Sequence, residues 1–212
     1  MKTELYLPDG TKVAGTKKGS LSTYTHLPDY ATLVNQGKVF EVLDTTTTVA
    51  LVARPTTLAN LTVQNPPGSK TVVVVFGLLI YTDVVPATLG TVTVWHCVHK
   101  LIPASNFTRD LVLSGTGAGT ASCLKAGVNY NGQLIVDRGA TVVDDGWIPT
   151  PLQVVSNIAT TNFESNAAKL MAPVVIPPGL SYSLQTTATV VTFESALGIT
   201  WAEVDAEELD EE

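Results

Sequence analysis

Thr71-Val72-Val73-Val74-Val75-Phe76-Gly77-Leu78-Leu79-Ile80-Tyr81 is the most apolar stretch of the chain, and its reading decides the fold. Its apolar part, Val72 to Tyr81, is half as long as the ~20 residues a membrane helix requires, and Asp83 and Pro86 end it. Four consecutive valines favour a pleated surface, because a β-branched side chain loses rotamer freedom against a helical turn. The stretch therefore reads as a buried strand.

Working outward, the next segment, Thr91 to His99, alternates Val92, Val94, His96 and Val98 with Thr91, Thr93, Trp95, Cys97 and His99, the period of a strand with two unlike faces. Upstream, Lys38 to Leu43, Thr47 to Ala53 and Ala59 to Gln64 read as strands, and Asn65-Pro66-Pro67-Gly68-Ser69 is a clear break. Downstream, Val174 to Ile176 leads to a second Pro177-Pro178-Gly179 break. Ser181 to Thr186, Thr189 to Phe193 and Ile199 to Val204 follow as strands. No sequence repeat surrounds the two Pro-Pro-Gly breaks, so they read as shared turn chemistry.

Between Lys100 and Leu170 the periodicity weakens. Short strand candidates near Leu111 to Leu113, Leu134 to Val136 and Ala140 to Val143 stand between turn clusters, and Phe163 to Met171 is the one segment that reads as a helix. Eight to ten strands with irregular connections predict an all-β fold, an antiparallel β-sandwich of the jelly-roll type. Residues 1–37 read as an N-terminal arm and lead-in, 38–204 as the sandwich and 205–212 as an acidic tail.

Composition agrees with strand. The chain holds 30 threonines, 28 valines and 7 isoleucines in 212 residues, while charged residues are only 15%. Of the net charge of −7, all is accounted for by the seven acids between Glu203 and Glu212, which leaves 12 acids against 12 bases in the rest. A neutral body argues against nucleic-acid binding, which normally needs a basic excess. The polar, Lys-containing start lacks the pattern of a secretory signal, and Cys97 and Cys123 are too few for a disulfide framework, so reduced thiols are expected. The sequons at Asn60 and Asn106 then carry little weight.

On a strand, His96 points away from Cys97 and His99, so His96-Cys97-Val98-His99 offers at most two converging ligands, fewer than zinc requires, and no metal or other cofactor is expected. Gly115-Thr116-Gly117-Ala118-Gly119-Thr120 has its third glycine one place early for a dinucleotide fingerprint, and no Lys-Ser/Thr follows it. Asp137, Asp144 and Asp145 are the carboxylates a glycosidase would need, but Asp144-Asp145 before Gly146-Trp147 reads as a turn. There is no GxSxG, and His26, His96 and His99 are the only histidines. The chain is expected to be non-enzymatic.

Binding groups are more promising. Trp147, beside the turn, is a candidate stacking platform for carbohydrate, whereas Trp95 and Trp201 read as core. Lys12, Lys17 and Lys18 in the arm are a possible counter-charge for Glu207, Glu208 and Asp210 in the tail of a neighbouring subunit, a contact that salt should weaken.

A Lys-bearing arm, a Thr/Val-rich body and the run Val174-Val175-Ile176-Pro177-Pro178-Gly179-Leu180-Ser181-Tyr182-Ser183-Leu184 entering the terminal strands together resemble virion proteins of tailed bacteriophages with β-sandwich or jelly-roll folds, most of all capsid decoration (cement) proteins. The resemblance is one of pattern, over about residues 38 to 204. It implies a structural protein of the capsid surface, a homotrimer made in the host cytoplasm and seated on the major capsid protein, with no nucleic-acid or membrane partner. The competing expectation is a receptor- or carbohydrate-binding module of a head fibre or tail, with the loops between Lys100 and Leu170 as its recognition end.

Overall fold

The computed structural model describes residues 30–44, 46–84, 92–100, 121–138, 141–142, 146–150, 165–189 and 193–206. Among them are one helix, α1 (Tyr30–Gln36), and eleven strands: β1 (Val39–Leu43), β2 (Thr48–Val49), β3 (Leu61–Gln64), β4 (Thr71–Val84), β5 (Val92–Lys100), β6 (Ser122–Cys123), β7 (Ile135–Arg138), β8 (Ile148–Pro149), β9 (Ser165–Ile176), β10 (Leu180–Ala188) and β11 (Glu194–Asp205). The apolar stretch Thr71 to Tyr81 lies in β4, at 14 residues the longest of them.

One sheet has the order β6-β1-β11-β4-β9, with β2 also on β11; the other has the order β7-β3-β10-β5-β8. Every strand-to-strand ladder is antiparallel. When the short β2 and β6 and the edge strand β7 are set aside, the other eight, counted along the chain, run 1-8-3-6 in one sheet and 2-7-4-5 in the other. That is the order of a jelly roll, two interleaved Greek keys.

The core lies between the sheets. Phe40, Val42, Val73, Val75, Leu78, Leu197, Ile199 and Trp201 from one meet Leu61, Val63, Val94, Val136, Tyr182 and Leu184 from the other. Each contributes about 1.5–3 kcal/mol by leaving water. Alternation puts Ser181, Ser183 and Gln185 of β10 on the opposite face of their sheet from Tyr182 and Leu184.

The two Pro-Pro-Gly breaks are arches that carry the chain between sheets, β3 to β4 and β9 to β10. In each the fourth residue's N–H returns to the first proline's carbonyl, Ser69 to Pro66 at 3.1 Å and Leu180 to Pro177 at 3.2 Å. In each the glycine takes a positive φ, 89° at Gly68 and 85° at Gly179, the conformation a type II turn demands at that place. The arches lie side by side, joined by the buried Asn65. Its side-chain amide donates to the carbonyls of Thr71 and Ile176, each at 2.9 Å, and its own carbonyl accepts from Gly179 N–H. Shared turn chemistry thus reflects a shared place in the fold.

Two sequence expectations need correction. Phe163 to Met171 was expected to be helical, yet residues 165–171 belong to β9, where Ser165 to Lys169 pair with Tyr81 to Gly77 of β4. Ala, Lys, Leu and Met favour helices in isolation, and cross-strand pairing overrides that preference. The helix that does form, α1, ends in a Schellman motif: Gly37 (φ 73°) donates to Val34 O at 2.9 Å and Lys38 donates to Leu33 O at 3.0 Å. It covers the outer face of the six-stranded sheet, with Leu33 against Val39, Val74, Ala202 and Val204. Residues 30–36 of the expected lead-in are therefore part of the folded unit. Of the candidate strand Thr189 to Phe193, the two end residues lie between β10, which ends at Ala188, and β11, which begins at Glu194, and residues 190–192 lie outside the described residues.

Candidate interaction surface and buried polar layer

On β5 the two faces have separate fates. His96 turns toward the sandwich, its ring edge-on to Tyr182 at 5.8 Å, with the Tyr182 hydroxyl 3.4 Å from Nδ1. Burial holds the His96 pKa below its ordinary value and pushes the Tyr182 phenol far up, so both are neutral near pH 7. Cys97 and His99 lie on the opposite face. Cys97 is a free thiol packed with Ala59, Val142 and Trp147. Among the described residues no group of three or more His, Cys, Asp or Glu is placed to hold a metal ion.

His99 belongs to a buried polar layer on the outer face of the five-stranded sheet. Its Nδ1 lies 2.7 Å from the Lys100 carbonyl, which can only accept. In a neutral ring the proton then sits on Nδ1, and Nε2, 2.8 Å from the Ser183 hydroxyl, accepts from it. Ser183 in turn accepts from Thr62 Oγ1 at 2.8 Å. This order, carbonyl to imidazole to serine, is that of a base oriented toward a hydroxyl. Ser183 is nevertheless wholly buried, with its oxygen engaged on both sides. The chain ties β3, β10 and β5 together. Asp137, cross-strand from Thr62, is also fully buried, and its Oδ1 accepts from Arg138 N–H at 2.8 Å.

Trp147 does not present a stacking face. It is 3% exposed, and its indole N–H donates to the Thr56 carbonyl at 3.0 Å. The Arg54 guanidinium donates to its backbone carbonyl at 3.3 Å. Its place beside a turn suggested exposure, and the two-residue β8 that follows offers no alternation to show which way the ring goes. What Trp147 does is hold residues 54–56 against β8, and large apolar side chains close by in sequence stay in water: Val52 at 64%, Leu58 at 46% and Ile148 at 59% exposure. Trp95, expected in the core, is half-buried instead, with its N–H on Thr187 Oγ1 at 2.8 Å. Trp201 is fully buried, as read.

The sequence reading set Glu203 in the strand Ile199 to Val204 but counted its charge with the acids of the tail, and so missed its role. The side chain is buried, and its carboxylate accepts from Gln133 N–H at 2.7 Å, Leu134 N–H at 3.2 Å and the Trp201 indole N–H at 3.2 Å. Phe40, Tyr130 and Trp201 pack mutually around it, with ring centroids 5.0 to 6.1 Å apart. Asp205, also counted with the tail, ends β11 and pairs with Lys38 at 2.8 Å. The signal was the alternation of Leu197, Ile199, Trp201 and Glu203, which continues the inward face to the acid. Lys12, Lys17, Lys18, His26, Asn106, the glycine loop 115–120, Leu111 to Leu113, Asp144, Asp145, Glu207, Glu208 and Asp210 lie outside the described residues.

No family model, curated protein or solved structure matches the chain.

Proposed function

We propose that this protein is a non-enzymatic structural protein of a virus particle, a decoration protein that binds the capsid surface as an oligomer, a trimer being the form favoured. The observation that carries the reading is that Val52, Leu58 and Ile148, near in sequence to the residues Trp147 and Arg54 hold together, stay exposed as large apolar side chains on a charge-poor jelly roll. Such side chains gain by being covered, and a rigid support lets a surface bind without reordering. The jelly roll supports the reading by analogy, since this architecture recurs in viral capsids, and it recurs in lectins too. The mechanism is thermodynamic: each protomer adds the free energy of the surface it buries to the cohesion of the shell.

Light scattering gives the mass of the purified protein, and sedimentation with heads of the phage that encodes it gives binding. The expected result is a trimer that pellets with heads, with both properties weakened in Ile148→Lys. A strict monomer that stays in the supernatant overturns the reading. Specific retention on a glycan surface by a monomer would point to the receptor-binding alternative instead.

A further inference from the structure

The loop that leads from β6 to β7 carries Asn131-Gly132, the one Asn-Gly pair in the chain. The residues on either side of it are held. The Tyr130 hydroxyl donates to the Leu134 carbonyl at 3.0 Å, and the Gln133 and Leu134 N–H groups end on the Glu203 carboxylate. Asn131, at the tip between these fixed points, is exposed. Among the described residues neither its side-chain amide nor the Gly132 N–H has a hydrogen-bond partner.

The same contacts decide what can stand at position 132. A Cβ there would collide with Glu203 Oε1 and lie 2.6 Å from the Tyr130 hydroxyl and 2.8 Å from Tyr130 Cε2. Any side chain is crowded out, so the clamp that seats Glu203 also fixes a glycine directly after Asn131. With no side chain at 132, nothing on that residue shields its backbone nitrogen from the amide of Asn131. An asparagine that is exposed, unbonded and followed by a bare nitrogen is open to attack by its own backbone.

We infer that Asn131 is a site of spontaneous modification, at which the chain turns its own asparagine into aspartate and isoaspartate. The Gly132 nitrogen, its proton taken by hydroxide, attacks the side-chain carbonyl carbon of Asn131. A bond from that nitrogen to the carbon closes a succinimide ring, the bond from the carbon to the side-chain nitrogen breaks, and that nitrogen takes a proton from water and leaves as ammonia. Water then opens the ring. Attack at the side-chain carbonyl restores the ordinary main chain with an aspartate, and attack at the main-chain carbonyl routes the chain through the side chain as isoaspartate. Nothing is oxidised or reduced. Either product places a negative charge next to Gly132, which lies against the Glu203 carboxylate, and like charges disfavour each other. Isoaspartate also lengthens the main chain between Tyr130 and Gly132, the two residues that pack on that carboxylate, so the modification loosens the Glu203 clamp.

Warm incubation of the folded, full-length protein in mildly alkaline buffer, followed by peptide mass spectrometry, tests this. Trypsin cuts after Lys125 and Arg138, so the peptide Ala126–Arg138 holds Asn131 together with Asn129, an internal control whose following residue, Tyr130, is bulky. Asn131 should convert about tenfold or more faster than Asn129, because glycine leaves the attacking nitrogen unhindered. The rate should rise with pH, and part of the product should be labelled by an isoaspartyl methyltransferase. Conversion at Asn131 no faster than at Asn129, or seen only after unfolding in urea, overturns the inference. The link to Glu203 is read on the converted chain, separated by ion exchange. Its urea midpoint should fall, and the Gln133 and Leu134 amides should exchange about tenfold faster. Asn131→Ser, incubated alongside, should keep both properties of the fresh protein. A converted chain that also keeps them, or an equal loss in Asn131→Ser, overturns the link.

Discussion

Glu203 shows how much one residue can fix. Its carboxylate satisfies three N–H groups away from water, two of them backbone donors of the loop that leads into β7. Glu203→Ala leaves all three without a partner, at about 1–3 kcal/mol each, so a loss on the order of 3 kcal/mol is expected in urea denaturation. Gly132 belongs to the same construction. A Cβ there would collide with the Glu203 carboxylate and come within 2.6 Å of the Tyr130 hydroxyl, so Gly132→Ala should destabilise, less once Glu203 is gone but still through Tyr130. His96 gives a pH dependence. Burial lowers its folded-state pKa below the unfolded 6.5, so below that pH the unfolded chain binds the extra proton first. The His96 contribution to stability should be constant above pH 7 and fall as the pH drops from 6.5 through the folded value. The group packed on His96 from β10, Tyr182, stays neutral throughout, and β8 contributes Ile148 as cross-strand partner, so His96→Gln should flatten that part of the profile in denaturation midpoints.

At the scale of elements, most strands were legible and for one reason: β-branched alternation survives wherever one face is buried. Thr91 to His99 gave the two faces of β5 correctly, Val94 toward the core and Cys97 away from it. The failures have equally physical causes. The β9 sequence carries no β-branched residue from Ser165 to Pro173, so nothing local announces a strand that exists because β4 offers it a ladder. Helix α1 has only seven residues and gains its stability from Leu33 on the sheet, which no local pattern reveals. The Glu203 site was hidden because composition counted the acid with its charged successors. The arches were legible as turns, while Asn65, their link, was read as mere punctuation. Asn65→Ala removes two hydrogen bonds from carbonyls at the ends of β4 and β9, and a loss of about 2 kcal/mol is expected, with faster amide exchange in both arches. Asn65→Asp should do no better, because a carboxylate has no proton for either carbonyl.

For the whole molecule, the boundary between body and tail moves, and charge moves with it. With Glu203 and Asp205 inside β11, five acids remain beyond Ala206, and the preceding 206 residues hold 14 acids against 12 bases. The body is nearly neutral and the tail still dominates the net charge. The two parts should separate cleanly in truncation. A chain ending at Ala206 keeps Glu203 on its three donors, Val204 under α1 and Asp205 on Lys38, so its melting temperature should stay within about 2 °C of the parent. A chain ending at Ala202 loses all of these, together with the pairing of residues 203–205 to Val73, Val72 and Thr71, and should fail to give a cooperative transition. Calorimetry of the two, four residues apart, places the end of the fold. Under the assembly proposed here, the Ala206 truncation should also oligomerise less tightly at low salt, and the difference from the parent should fade as salt screens the arm lysines from the tail. A tail that only confers solubility predicts the same assembly constant at every salt concentration.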